Sequence, residues 1–381
     1  MQRSGIYLLL ISVVGLVALG VVMLFSTSAF AQDSHGDIYY FVKRQGFWLV
    51  IGTGACVTGA LVDYHRWRSW WPYVYGISAV LLALCFVPHV GMRINGSLRW
   101  LNLHFAAFQP SEVAKIAAVF FLAWWFSRPQ TDARKITQGI LIPGGVVMML
   151  VALIAAEVDL GTSALIGATT IAVCFIGGAN EWLIGGTILT GLAGLLGMAM
   201  LIPERAARMT TFLNPEGDKL GKGLQQWQAL IAFGSGGYEG LGLGNGRQKL
   251  LYLPYAHTDF IFPMIGEELG LPFTWLVVFG FIMIILSGGL IAANAKDRFG
   301  KLLAMGILLL ISLQAAVNIG MTTSLLPNKG MPLPFISYGG SNLAVSLFMV
   351  GILVNIHRIG IPVAPVTDRQ VILAGRSVPR I

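Results

Sequence analysis

The sequence predicts an all-α polytopic membrane protein of about ten transmembrane helices, with a large extracytoplasmic loop between helices seven and eight. Two observations carry that expectation. Of 381 residues 56% are hydrophobic and only 11% charged, where a soluble globular domain has about 25% charged. The apolar residues also fall in continuous runs of the roughly 20 residues needed to cross a bilayer. These runs lie near 5–27, 45–62, 71–88, 110–126, 137–156, 161–178, 182–202, 271–293, 301–325 and 338–357. Their continuity excludes a β-barrel, whose strands alternate apolar and polar residues over about ten positions.

The first run begins after Arg3 and ends before Ala29 and Ala31, imitating a signal peptide with its cleavage site. From Ile6 to Phe25 it is longer than the roughly 7–15-residue core of such a peptide, so it reads as an uncleaved helix. Cys56, Cys85 and Cys174 each sit inside an apolar run without paired spacing and read as small core hydrophobes, not a disulfide or metal framework. The fourth run opens in RINGSLRWLNLHFAAFQPSEVAKI, where Pro110 suits the first turn of a helix and Gln109 or Ser111 could cap it. Glu112 and Lys115 follow, three apart on one face. A local ion pair would neutralise both, but intramembrane ionisable groups are costly enough that a cavity-facing role is the stronger reading. AAEVDLGTS sets Glu157 and Asp159 at the outer junction of runs five and six. LPNKGMPLPFISYGGSN places Lys329, Ser337 and Ser341 between runs nine and ten, in a stretch too rich in proline and glycine for a helix.

Residues 203–270 form the longest hydrophilic connection, yet Trp227, Phe233, Tyr238, Tyr252 and Phe262 make it too apolar to stay disordered. Short amphipathic helices on the outer leaflet are expected there, with 222–234 the best candidate. The stretch GSGGYEGLGLGNG is similar to a dinucleotide fingerprint, but no strand precedes it, so it reads as a flexible, turn-rich segment. Lys and Arg set the orientation. With a cytoplasmic N-terminus and alternating spans, the cytoplasmic segments hold 13 cations against five acids, as the positive-inside rule requires. The net charge of +8 is mostly this bias and calls for no nucleic acid. A polar crevice opening outward is expected, floored by spans four, five, six and ten and roofed by the long loop. Arg93, Arg99, Lys115, Arg205, Arg208, Arg247, Lys249 and Lys329 suit a phosphate-bearing ligand there, and the carboxylates suit a base or a divalent metal. Residues 1–361 read as one integral membrane domain and 362–381 as a cytoplasmic tail.

QPSEVAKI, DLGTS, HTDFIF with EELG, and LPNKGMPLPFISYGGSNL closely resemble motifs of the SEDS proteins, the shape, elongation, division and sporulation family. The resemblance runs from the first span to about residue 358. It implies a glycosyltransferase that polymerises lipid II, a polyprenyl-diphosphate-linked disaccharide peptide, into peptidoglycan strands outside the bacterial cytoplasmic membrane. GLGLGNGRQKLLYLP and the last motif look more like the division branch than the elongation branch. The family's catalytic aspartate falls on Asp259, suited to take the proton of the acceptor sugar's 4-hydroxyl as it attacks the donor's anomeric carbon. Arg99, Glu112, Lys115 and Asp159 resemble the family's polar cavity, Ser337 and Ser341 its SYGGS segment, and His257 and Thr258 flank the base. Lys249 and Lys329 join the cations that would offset the diphosphate's charge. A divalent cation, Mg or Mn, is a candidate to share that task, with no organic cofactor. The implied partners are a class B penicillin-binding protein transpeptidase and other membrane proteins of the division or elongation machinery. Tyr255, Pro263 and Val158 stand where the family has Glu, Ala and Pro. The lost Glu leaves Glu267 or Glu268 as alternative metal ligands, or as plain carboxylates at the start of span eight.

Two other functions compete. A flippase for the lipid-linked sugar needs a polar path near the bilayer midplane, whereas spans one, two, three, seven, eight and nine carry almost no charge and the polar groups crowd toward one face. A non-catalytic scaffold would need no HTDF cluster.

Overall fold

The computed structural model describes residues 2–28, 37, 39–94, 97–102, 106–201, 211, 212, 214–250 and 252–360. The expected tail at 362–381 and the crevice candidates Arg205 and Arg208 lie outside the described residues. Eleven α-helices carry the fold among those described: α1 (Gln2–Ser28), α2 (Tyr40–Leu61), α3 (His65–Leu84), α4 (Pro110–Ser127), α5 (Ile142–Ala156), α6 (Leu160–Ile176), α7 (Glu181–Leu201), α8 (Leu224–Gly236), α9 (Ile261–Ala293), α10 (Arg298–Thr322) and α11 (Gly340–Gly360). Ten of them take the places of the ten expected spans, and α8 is a helix where one was expected in the long loop, two residues further along. α1, α9, α10, α11 and the helical stretch Thr137–Ala156 are each long and apolar enough to cross a membrane.

With lipid outside, helix association rests on close packing rather than on hydrophobic transfer. α2 lies along α11, α1 along α9 and α3 along α4. At Gly351 an added Cβ would stand 2.1 Å from the Cys56 carbonyl oxygen, so α11 and α2 meet backbone to backbone where a side chain has no room. α4 is the hub, buried at 14 of its 18 positions because α3, α5, α6, α10 and α11 all pack on it. That placing carries Glu112 and Lys115 to the centre of the protein. α7 packs chiefly on α6 and leaves Trp182, Leu189 and Leu192 exposed.

The structure departs from the expected all-helical outline in two places. Between α3 and α4 an antiparallel sheet runs β1 (Gly91–Ile94), β2 (Ser97–Asn102), β3 (Ala107–Phe108), pairing Met92 with Trp100 and Leu101 with Phe108. Because side chains alternate along a strand, Arg99 shares its face with buried Ser97 and Leu101 and is turned toward the bundle. The second departure is α9, which starts ten residues before the expected 271. Gly270, with φ at 77°, breaks it, and Ile261 through Glu268 form a separate buried helical segment ahead of the span.

That segment is the bed on which the glycine-rich loop lies. Leu241 and Gly242 donate backbone N–H bonds to the carbonyls of Glu267 and Glu268, both at 2.9 Å. The Glu267 carboxylate accepts from the N–H groups of Arg247 (2.9 Å) and Gln248 (3.2 Å), and Glu268 accepts from Gly244 N at 2.9 Å. A Cβ at Gly240 would approach the Glu268 carbonyl to 2.4 Å, so the glycines allow contact with the helical bed. The expected flexible segment is therefore pinned. The carboxylates of Glu267 and Glu268 thus serve as acceptors for loop backbone and do not sit in the first turn of the helix. Lys249, expected among the diphosphate cations, is bound here instead, donating to Glu268 (2.7 Å), Ser26 Oγ (2.9 Å) and the Gly244 carbonyl (2.7 Å), with its side chain 2% exposed.

Candidate active site

Asp159 organises the floor. It is the N-cap of α6, its carboxylate accepting from Thr162 N (3.1 Å) and Thr162 Oγ1 (2.8 Å), which satisfies donors that a helix start otherwise leaves open. Gln109 occupies the cap position of α4 without capping it; its amide instead reaches Ser111 Oγ at 2.9 Å and Asp159 Oδ2 at 3.1 Å. Glu112 and Lys115 pair at 2.8 Å with side chains only 3% and 2% exposed. Asn342 donates to Glu112 at 3.0 Å, and Lys115 donates to Gln314 Oε1 at 2.8 Å. The pair is thus sealed in a polar knot and does not open on a cavity. A pair this deep is stable only when its remaining hydrogen bonds are made, and Asn342 and Gln314 make them.

Asp259 lies half-buried two residues before Ile261, the first residue of α9's leading segment. Asn318 on α10 holds the approach: its amide donates to the carbonyl of Asp259 at 2.9 Å and to that of Met331 at 2.6 Å. Gly330 closes the other side, where an added Cβ would stand 3.3 Å from Asp259 Oδ2. Lys329, the preceding residue, is exposed, and its carbonyl approaches the start of α6 at Gly161. Burial lifts the Asp259 carboxyl from its ordinary 3.8 to about 6; Arg99 draws it down and Asp159 pushes it up. Arg99, Asp159 and Asp259 therefore share one electrostatic environment.

The other expected site residues hold backbone. Ser341 accepts from Gln109 N at 3.0 Å and Ser337 from Leu333 N at 2.8 Å. Thr258 Oγ1 donates to the Tyr255 carbonyl at 3.2 Å. The His257 carbonyl accepts from Tyr338 N at 3.0 Å while its ring packs on Phe41 with centroids 4.4 Å apart. Beyond that aromatic contact, a cavity of about 460 Å³ opens beside Lys43, Arg44, Phe47, Trp48 and Ala106.

Span five contributes to the floor only through Glu157 at its end, and α10, the ninth span, contributes what was not expected. Gln314 and Asn318 are four apart on one face of α10, a signal that a search restricted to charges passes over. Among the described residues no three His, Cys, Asp or Glu side chains gather to hold a metal ion, and Asp159 already accepts from three donors. The described donors therefore gather no ready-made site for a metal ion.

The arrangement offers one carboxylate of raised proton affinity at the rim of a buried, hydrogen-bonded floor, within electrostatic reach of the Arg99 guanidinium. The same architecture appears in known proteins. A chain from a solved peptidoglycan synthase complex, described for its coordination of polymerization and crosslinking, superposes with a TM-score of 0.75 at 25% identity, covering 93% of this chain and 98% of that one. The rod shape determining protein RodA of Thermus thermophilus superposes with a TM-score of 0.68 at 25% identity, over 93% and 97%. In sequence, the probable peptidoglycan glycosyltransferase FtsW of Trichlorobacter lovleyi is 39% identical over 363 residues, 95% of each chain. Stage V sporulation protein E of Bacillus subtilis is 39% identical over 358 residues, 94% of this chain and 98% of that one. Residues 7–360 match the cell cycle protein family defined by FtsW, RodA and SpoVE, a span that holds every described element of the site, and the chain belongs to that family.

Proposed function

We propose that the protein is a peptidoglycan glycosyltransferase that polymerises lipid II, with Asp259 as its general base. The observation that carries the assignment of the base is the placement of Asp259: a half-buried carboxylate, its proton affinity raised by burial and by Asp159, with the charge of Arg99 opposing that rise and the paired Glu112 and Lys115 nearby in the floor. The acceptor sugar's 4-hydroxyl forms a bond to the donor's anomeric carbon, the bond from that carbon to the diphosphate breaks, and the hydroxyl proton goes to Asp259. Arg99 stabilises the departing diphosphate, and Lys329 at the rim lies on the same approach. Glu112, Lys115 and Asp159 hold the floor and fix α4, α6 and α10 relative to one another. A divalent cation, Mg or Mn, would arrive with the diphosphate rather than on a protein site, and no step here runs through it.

The finer parts of the reading follow from the same supports. The chain is a multi-pass membrane protein; both termini are assigned to the cytoplasm by the Lys and Arg bias, and the site to the outer face. Residues 1–361 form one membrane domain. The similar chain solved within a complex that coordinates polymerization and crosslinking supports a class B penicillin-binding protein transpeptidase as the partner. Similarity to FtsW proteins supports a septal role over elongation.

Purified in detergent, where two compartments no longer exist and transport has no meaning, the protein should convert lipid II into glycan strands, with its transpeptidase supplied. Asp259→Asn keeps the size of the side chain and removes its basicity, so polymer should fall by about 10²–10⁴. A flippase makes polymer in neither case. Equal polymer from both proteins removes Asp259 as the base.

A further inference from the structure

Glu157 takes no part in the chemistry above, yet the fold goes to some length to bury it. It caps the end of α5, and the chain then turns back: Val158 N donates to the Ala155 carbonyl at 3.0 Å and Asp159 N to that of Ile154 at 3.2 Å. The turn needs Val158 at φ 67°, a left-handed conformation that a β-branched residue adopts only under constraint. Its effect is to send Glu157 inward, fully buried, and to deliver Asp159 to the head of α6. Neither carboxylate oxygen of Glu157 has an N–H or O–H donor among the described residues, only the weak thiol of Cys85 being turned to it, and Arg99 Nε has no partner either. Buried polar groups without partners are rare and costly, and here two such groups, of opposite charge type, stand within electrostatic reach of each other. Arg99 is also the cation that acts on Asp259. One guanidinium therefore answers to two carboxylates, one at the reacting centre and one behind it.

We propose that Glu157 is a positioning residue that acts through Arg99: as a neutral acid it leaves the guanidinium to the substrate's diphosphate, and as a carboxylate it draws the guanidinium back. This rests on the glycosyltransferase reading. The groups that face Glu157 are Cys85 from the C-cap of α3, Arg99 from β2 and Asp159 from the head of α6. Burial dominates their sum and lifts its carboxyl from 4.5 to about 8, with Asp159 adding to the rise and Cys85 and Arg99 opposing it. At neutral pH the residue is the neutral acid, and Arg99 is available. Above about pH 8 it ionises and competes for the same cation.

The test is the pH dependence of KM and kcat for lipid II, measured on the purified protein with its transpeptidase. Wild type should show KM rising about tenfold between pH 7 and pH 9, the scale of losing a charge-assisted contact, while kcat changes much less. In Glu157→Gln the side chain cannot ionise, and the ratio of KM at pH 9 to KM at pH 7 should fall to about one. A variant that keeps the wild-type ratio overturns the proposal, as does one that loses activity by the same factor at every pH, which is what a packing role alone produces. If the amide variant does not fold, Glu157→Asp carries the test: the alkaline rise must move along the pH axis, and a rise that stays in place overturns the proposal. Absence of polymer from wild type at every pH sinks the underlying reading together with this one, whereas polymer with an unchanged ratio in the variant sinks this one alone.

Discussion

Asp259 shows how a base is made from an acid by placement. Raising its carboxyl from 3.8 to about 6 means that the carboxylate gives up stability to exist. The contribution of its neutral form to folding is complete below about pH 3.8 and is lost as pH rises through about 6. Catalysis runs the other way, since only the carboxylate accepts a proton. The rate should therefore fall below about pH 6 with a slope of one proton, and a flat rate between pH 5 and pH 8 refutes the assignment. Thermal unfolding reads the same group from the opposite side. Asp259→Asn should unfold at a higher temperature than wild type at pH 7.5 and at the same temperature near pH 3.5; equal midpoints at pH 7.5 refute the burial argument. At this scale the sequence was informative where residues were charged. Asp259, Glu112, Lys115 and Asp159 stood out in an apolar chain and the structure gathers them. Gln314 and Asn318 were not legible because neutral amides do not disturb a hydropathy profile; only their spacing of four on one helix face marked them. Lys249 misled because charge alone does not say which acid it meets.

Among the elements, the segment Ile261–Glu268 with its overlying loop sets the position of the base. Two carboxylates that read as ligands or helix-start charges are in fact acceptors for backbone N–H groups 19 to 24 residues away, a relation that no local pattern encodes. Lys249 completes the clamp, and its removal leaves Glu268 charged at 0% exposure. Losing one partner of such a pair typically costs about 3–5 kcal/mol, so Lys249→Met should lower the unfolding temperature and expose the loop near Gly244 to limited proteolysis. The double variant Lys249→Met/Glu268→Gln should recover part of the loss. Wild-type stability in Lys249→Met refutes the clamp. The small sheet was missed for a different reason. Its strands are short and lie in a polar connection between two apolar runs, yet RINGSLRW contains an Asn-Gly pair between strand-like flanks, the strongest short-range hairpin signal. α8, by contrast, was placed from amphipathic spacing to within two residues.

For the whole molecule, the ten long helices were legible because lipid enforces continuous apolar runs, while their neighbours were not. Nothing in the order of the runs says that α2 lies along α11 or α1 along α9. Orientation is testable directly. On a cysteine-free background, Ser235→Cys on α8 should react with an impermeant thiol reagent in intact cells, and Gln130→Cys, in the turn after α4, should not. Labelling at Gln130→Cys reverses the topology and moves the site to the other face.

The pairing of α2 with α11 also sets a schedule for biosynthesis. Asn355 holds the far end of α2 with bonds to Tyr64 N and the Ala60 carbonyl, the latter spanning 295 residues of chain. At a translation rate of about 5–20 residues per second, the second helix waits on the order of tens of seconds in the bilayer before its partner is made. Through that interval the close-packing surface at Cys56 faces lipid, or whatever the insertion machinery offers in place of α11. A ribosome that stops before Gly340 leaves α2 with no native neighbour along that face, and the unfinished chain carries an open backbone contact surface in its second helix.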